Sequence, residues 1–145
     1  MSQTTQLLHI VINTHCRQLT IPEAVCQDLY SVIANLIRAK HCHLYCINGI
    51  GNHLHMLVDL HPTISLSDFM RHIKQNSSMW MKRSGLYPNF DGWGKEYFAA
   101  SVSPSAKENV IGYIINQKTH HLTQSFETEF QKLILNSGKR WEEYM

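Results

Sequence analysis

Two β-rich runs, about His41–Ile47 and His53–Leu60, flank the stretch Asn48-Gly49-Ile50-Gly51-Asn52. So short and glycine-rich a connection predicts a β-hairpin, which makes the two strands antiparallel neighbours. The hairpin organises the rest of the chain, because a helix and a strand lie on either side of it. Upstream, residues 6–14 form a β-rich run. A helix follows, opened by Thr20-Ile21-Pro22-Glu23 with capping-box spacing and an early proline. Its apolar stripe is Val25, Leu29, Val32, Ile33, Leu36 and Ile37. Downstream, Ser65-Leu66-Ser67-Asp68 opens a second helix with the stripe Leu66, Phe69, Met70, Ile73 and Trp80. Residues 85–94 read as loop, and Tyr97–Ser103 alternates like a strand. A βαββαβ order predicts an α+β fold of the ferredoxin-like or RRM-like kind: a four-stranded antiparallel sheet with two helices on one face. Two more helices are expected, over about 105–122 and 125–136. They are free to cover the other sheet face or to pair with a second subunit.

At 145 residues the chain predicts one domain, 1–145, with one core. Thirteen basic against eleven acidic residues leave a charge of +2, so any nucleic-acid site must be local. No apolar run approaches the roughly 20 residues of a membrane span. The opening MSQTTQLLHIVINTH lacks the pattern of a signal peptide, which predicts a cytoplasmic protein whose four cysteines are thiols. The unusual count is ten histidines, the commonest metal ligand and the side chain that titrates near neutrality.

Within that excess, His53-Leu54-His55 sits on the third strand. Alternation turns both imidazoles to one face, about 7 Å apart, where they can grip one metal ion. A His-x-His pair also arises by chance in a histidine-rich chain. The helix over 105–122 adds to it. At about 100° per residue, Ile111, Ile114, Ile115 and Leu122 fall into one apolar stripe, and Asn109, Tyr113, Asn116, Gln117 and His120 lie nearly opposite. The plain reading is a solvated face with an incidental tyrosine. Beside the histidine pair, the same residues make a coherent set: two imidazoles, a carbonyl oxygen from Gln117, and the Tyr113 phenol as a nucleophile.

Other features have competing readings. His41-Cys42-His43 with Cys46 suggests zinc, but Cys42, Leu44 and Cys46 share a strand face and read as core. His61-Pro62-Thr63 resembles one half of a two-histidine phosphoesterase pair, and no second half exists. Arg71, Lys74, Gln75, Ser78 and Lys82 line one side of the second helix. They form either a solvated face or a groove that tracks a nucleic-acid backbone, with Trp93, Lys95 and Tyr97 stacking on bases. His120 either contacts phosphate or the metal shell, or caps the helix C-terminus.

Taken together, these motifs resemble the HUH-type single-tyrosine transposases, the IS200-like family whose elements move as single-stranded DNA. His53-Leu54-His55 matches the His-hydrophobic-His element, and Tyr113-Ile-Ile-Asn-Gln117 matches the catalytic helix. The flanks match as well: residues 64–67, 74–78, 93–98, 101–105 and 118–121, then Phe-Glu-Thr-Glu-Phe at 126–130. The resemblance spans about residues 5–135. It implies that His53, His55 and Gln117 hold Mg²⁺ or Mn²⁺, with Mn²⁺ the better match to imidazole. It implies that Tyr113 attacks a phosphate to give a 5′-phosphotyrosine intermediate and a free 3′-hydroxyl. The substrate would be single-stranded DNA with hairpins at element ends, met by a bacterial or archaeal enzyme at the nucleoid. It further implies a homodimer that can place the tyrosine of one subunit beside the histidines of the other. The alternatives are an idle single-stranded nucleic-acid binding module on the same fold, or a host-domesticated relative acting on palindromic repeats.

Overall fold

The computed structural model describes residues 2–122 and 124–138; residues 1, 123 and 139–145 of the expected domain lie outside the described residues. The elements run β1 (Leu7–Thr14), α1 (Cys26–Ala39), β2 (His43–Ile50), β3 (His53–Asp59), α2 (Leu66–Ser84), β4 (Trp93–Ser101), α3 (Lys107–Ile115), α4 (Gln117–His120) and α5 (Phe126–Asn136). The four strands form one sheet in the order β2-β3-β1-β4, and every pairing is antiparallel. The expected α+β arrangement is present.

Strand alternation divides the core between the two sheet faces. Ile10, Ile12, Leu54, Met56 and Val58 point to one face, where α1 supplies Leu29, Ile33 and Ile37 and α2 supplies Phe69, Met70 and Ile73. The opposite face is also covered. Leu7 and Leu57 pack against Ile114 of α3, while Val11 and Phe98 pack against Phe126 and Ile134 of α5. The C-terminal helices therefore close the second face of their own sheet, and β3 is buried on both sides.

Several local expectations are corrected. The 48–52 loop is mostly strand: β2 runs through Ile50, which pairs with His53, and the turn narrows to Gly51 and Asn52. Gly49 is obligatory there, because a Cβ would lie 2.1 Å from the His53 carbonyl oxygen. At its other end β2 starts at His43, since His41 has φ 60° and leaves the extended region. A bulge between Leu44 and Cys46 turns Cys46 to the face opposite Leu44, so the cysteines do not share a face. Thr20 caps nothing. The backbone N–H groups of Thr20 and Ile21 donate to Gly51 O, a 3₁₀ turn covers Glu23–Val25, and α1 begins only at Cys26. Ser65 does cap α2, accepting from the Asp68 N–H. β4 begins at Trp93, four residues before the expected Tyr97, because Trp93 pairs with Thr14 beyond an irregularity in β1. Ser105 lies in a 3₁₀ turn and gives no side-chain cap.

The helix expected over 105–122 is broken at Asn116, whose φ of −89° and ψ of 13° separate α3 from α4. The Asn48 amide on β2 donates to Ile115 O at 2.8 Å and satisfies a carbonyl at the break. Lys118 then pins α4 to the β2 hairpin, donating to Gly49 O at 3.0 Å and pairing with Glu23 at 2.8 Å. The break overturns the even apolar stripe: Ile114 is buried, whereas Ile115 and Leu122 are exposed.

Candidate metal and nucleophile site

The alternation of β3 sends His53 and His55 into the face covered by α3, α4 and α5, and both rings are fully buried. Gln117 opens α4 and is buried beside them, with its Oε1 3.2 Å from His53 Nε2. Tyr113, one turn earlier on α3, stands with its ring 5.7 Å from that of His55. The structure thus brings His53, His55, Tyr113 and Gln117 together within one chain.

At the centre lies a residue not singled out in the sequence as functional. Glu129 of α5 is 1% exposed, and its two carboxylate oxygens have different neighbours. Oε1 is approached by three imidazole nitrogens: His53 Nε2 at 3.2 Å, His55 Nε2 at 3.1 Å and His121 Nε2 at 3.0 Å. Oε2 accepts from the Tyr113 hydroxyl and from Gln117 Nε2. A signal for Glu129 was present. Phe126, Phe130, Leu133 and Ile134 mark the buried side of α5, and Glu129 falls within that stripe. A carboxylate on a core face needs partners to offset its lost hydration.

Packing around the cluster fixes the rings. The Phe126 ring stacks on His53 at 4.0 Å and 14°, and Arg17 lies 5.4 Å from the ring centres of both Phe126 and Phe130. The His53 Nδ1 bonds with Asn52 Oδ1 at 2.8 Å; the Asn52 amide nitrogen donates to Arg17 O, which turns its oxygen to the ring. Both His53 nitrogens thus face acceptor oxygens, Nδ1 that of Asn52 and Nε2 those of Gln117 and Glu129, so Nε2 either donates a proton to the cluster or presents its lone pair to a cation there. His9, on the same face of β1, bonds through Nε2 to His55 Nδ1 at 2.9 Å.

Burial dominates the titration of these groups. Desolvation pushes His55 down to about 4 and His9 down to about 3. It lowers His53 as well, although its bond to Glu129 opposes the shift. Burial alone would raise the Glu129 carboxyl, but hydrogen bonds from His53 and His55 outweigh that and hold it well below the usual carboxylate range. Burial, then the hydrogen bond to Glu129, pushes the Tyr113 phenol above its ordinary value. At neutral pH His9, His53 and His55 are therefore neutral beside one anionic carboxylate, with a protonated phenol at its edge.

This donor set fits a divalent cation. His53, His55 and Glu129 each offer a ligand atom, all within 4.8 Å of one another. Among the described residues no other group of three such side chains does so, so the His41, Cys42, His43 and Cys46 run makes no metal cluster. His61 forms a local turn instead, its Nδ1 2.6 Å from Thr63 Oγ1.

The residues proposed to touch nucleic acid are less concentrated. Arg71 is exposed and pairs with Asp68. Lys74 donates to Gly94 O and Lys95 O, tying α2 to the start of β4. Trp93 is held by its indole N–H, which donates to Ser77 Oγ at 2.9 Å, and it packs on the core. Lys82 and Lys95 are exposed, and His120 stacks at an angle on Tyr113 with ring centres 4.9 Å apart. A groove of 970 Å³ runs along the β4 edge and α5, lined in part by Asn13, Arg17, Lys95, Tyr97 and Phe130. It contains none of the cluster's side chains but shares β4 and α5 with their surroundings.

Comparison with known proteins identifies the family and the fold. Residues 2–117 match the family model described as "Transposase IS200 like"; His121 and Glu129 fall outside that match. A candidate transposase from Deinococcus radiodurans R1 has the same fold, with a TM-score of 0.64 at 20% identity over 81% of this chain and 95% of its own. A REP-associated tyrosine transposase bound to a REP hairpin has a TM-score of 0.62 at 16% identity, over 83% of this chain and 74% of its own. Among curated proteins none matches the chain.

Proposed function

Taking as premise that the chain belongs to the IS200-like transposase family, we propose that it cleaves and rejoins single-stranded DNA through Tyr113. The observation that supports this most directly is the convergence of Tyr113, Gln117, His53 and His55 on Glu129. In the forward step the Tyr113 oxygen bonds to phosphorus while the bond to the 3′-oxygen breaks, leaving a 5′-phosphotyrosine and a 3′-hydroxyl. In the reverse step another strand's 3′-hydroxyl attacks that phosphotyrosine and releases the phenol. One phosphate ester replaces another, so no nucleotide cofactor is needed.

Glu129 divides its work between its oxygens. Oε2 accepts the phenol's hydrogen bond and so orients Tyr113; Oε1 belongs to the ligand cluster with His53 and His55, and Gln117 adds its amide oxygen. A bound divalent cation would polarise the scissile phosphate and offset charge as the bond forms. The imidazole-rich set favours Mn²⁺ over Mg²⁺. The substrate is DNA with foldback hairpins, consistent with the hairpin held by one structural neighbour. The strand follows the β4–α5 groove past Arg17, Lys95 and Tyr97, with exposed Arg71 and Lys82 as outer phosphate contacts. A homodimer remains part of the proposal, with each centre built from its own chain. No described helix is long and apolar enough to cross a membrane.

The test is a denaturing gel after incubation with single-stranded DNA from the flanks of its own gene and Mn²⁺. A covalent protein–DNA adduct is expected with wild type and absent with Tyr113→Phe and in EDTA. An adduct that persists in Tyr113→Phe would move the nucleophile elsewhere. DNA binding without any adduct would favour the idle binding module.

A further inference from the structure

One buried side chain beside the cluster has no part in the chemistry above. His9 reaches across from β1, its Nε2 2.9 Å from His55 Nδ1 and its ring stacked on that of His55 at 5.1 Å and 27°. The register makes this contact local: Val11 pairs with His55 and Ile10 with Met56, so His9 lies one pleat along the same face. Phe98 and Tyr113 close on His9 edge-on. A histidine in this setting could be replaced by an apolar residue of similar volume at little packing cost, unless its nitrogen is used.

We infer that His9 is the positioning residue for His55, a hydrogen-bond partner that can change from donor to acceptor as His55 changes tautomer. The inference rests on the reading that the cluster holds a divalent cation. A carboxylate only accepts hydrogen bonds. Without metal, His55 Nε2 therefore carries the proton it donates to Glu129 at 3.1 Å, and its Nδ1 can only accept. His9 Nε2–H is then the donor. A metal ligand must present a bare lone pair, so with metal on Nε2 the His55 proton resides on Nδ1. The same bond then runs the other way, from His55 Nδ1–H to a bare His9 Nε2. Each ring begins and ends with one proton, so the pair changes tautomer without changing charge. His9 is 7% exposed where His55 is fully buried, so of the two rings His9 lies nearer to solvent. An apolar residue could serve neither state, and a side chain that only donates would serve one.

The experiment compares wild type with His9→Leu, His9→Gln and His53→Ala, using Mn²⁺ titration calorimetry on the intact chain. Imidazole ¹⁵N spectra in EDTA and in Zn²⁺, a diamagnetic probe, report the tautomers. Glutamine can offer either an N–H or an oxygen near the position of Nε2, so His9→Gln should bind Mn²⁺ nearly as well as wild type. His9→Leu should bind about 10- to 100-fold more weakly, the usual cost of losing a ligand's hydrogen-bond partner. In wild type, His55 should change from the Nε2–H form in EDTA to the Nδ1–H form in Zn²⁺. Equal Mn²⁺ affinity in wild type and His9→Leu, with binding lost in His53→Ala, would overturn the role of His9 while leaving the metal site standing. Equal weakening by Gln and Leu would reduce His9 to packing and overturn it too. Absence of Mn²⁺ binding by wild type would remove the metal reading and this inference with it. If His9→Leu does not fold, a wild-type His55 that keeps one tautomer in both conditions overturns the inference.

Discussion

The buried imidazoles make the metal-free protein sensitive to acid, and the size of the effect follows from their surroundings. His9 is pushed down to about 3 and His55 down to about 4 from an ordinary 6.5. Below 6.5 the unfolded chain takes up protons that these rings refuse, so the unfolded state gains. The stability they contribute is full above pH 6.5 and is lost as pH falls toward 4. Each ring held neutral costs about 1.4 kcal/mol per pH step. Two rings over the interval from 6.5 down to about 4.5 therefore cost about 5 kcal/mol, comparable with the whole stability of a small domain. His53, lowered by the same burial, acts in the same direction. Glu129 is held low and loses its contribution only below the ordinary carboxylate range of 4.5, outside this window. The assay is urea unfolding in EDTA at steps between about pH 7.5 and 4.5. His9→Gln should remove about half of the acid slope. A flat profile across the window, or a His9→Gln protein as acid-sensitive as wild type, would refute the argument that burial holds these rings neutral.

Further outcomes follow from single contacts. Phe126→Ala removes the ring stacked on His53 and should cost about 3–5 kcal/mol in chemical denaturation, with weaker Mn²⁺ binding. Gly49→Ala drives a Cβ into the His53 carbonyl and should unfold or misregister the β2–β3 pair, whereas Gly112→Ala, with nothing within 4 Å, should raise thermal stability slightly. On the proposed single-chain centre, mixing Tyr113→Phe protein with His53→Ala/His55→Ala protein should restore no cleavage even after proven subunit exchange, because the Tyr113 ring stands 5.7 Å from that of its own His55. Recovered cleavage would reveal an exchanged tyrosine.

The fold was legible because the helix and strand periods changed where the turn residues said they should. The direction of His53 and His55 was legible from alternation alone, and Tyr113 and Gln117 from one turn of helix. What escaped was what local pattern cannot hold. The Asn116 break depends on Asn48, 67 residues from its partner Ile115, and the Leu44–Cys46 bulge depends on pairing with β3. Trp93 looked available for bases until β4 lengthened and Ser77 took its indole. Glu129 and His9 were hidden by a different cause. Each lies on an otherwise apolar face, and its meaning appears only when α5 and β1 are laid against β3.

The covering of the second sheet face by α3, α4 and α5 has a consequence for how the molecule is made. A ribosome delivers all four strands before any of those helices. Until residues 107–136 follow, Leu7, Val11, Leu57 and Phe98 have no cover, and the histidines stand open without Glu129. A partly synthesised chain thus carries an adhesive sheet face and ligands able to seize stray metal, the sort of intermediate that aggregates or recruits chaperones. On the proposed mechanism, competence arrives with the last helix, so a message cut short or a ribosome stalled ahead of α5 yields a protein with Tyr113, His53 and His55 in place but without Glu129.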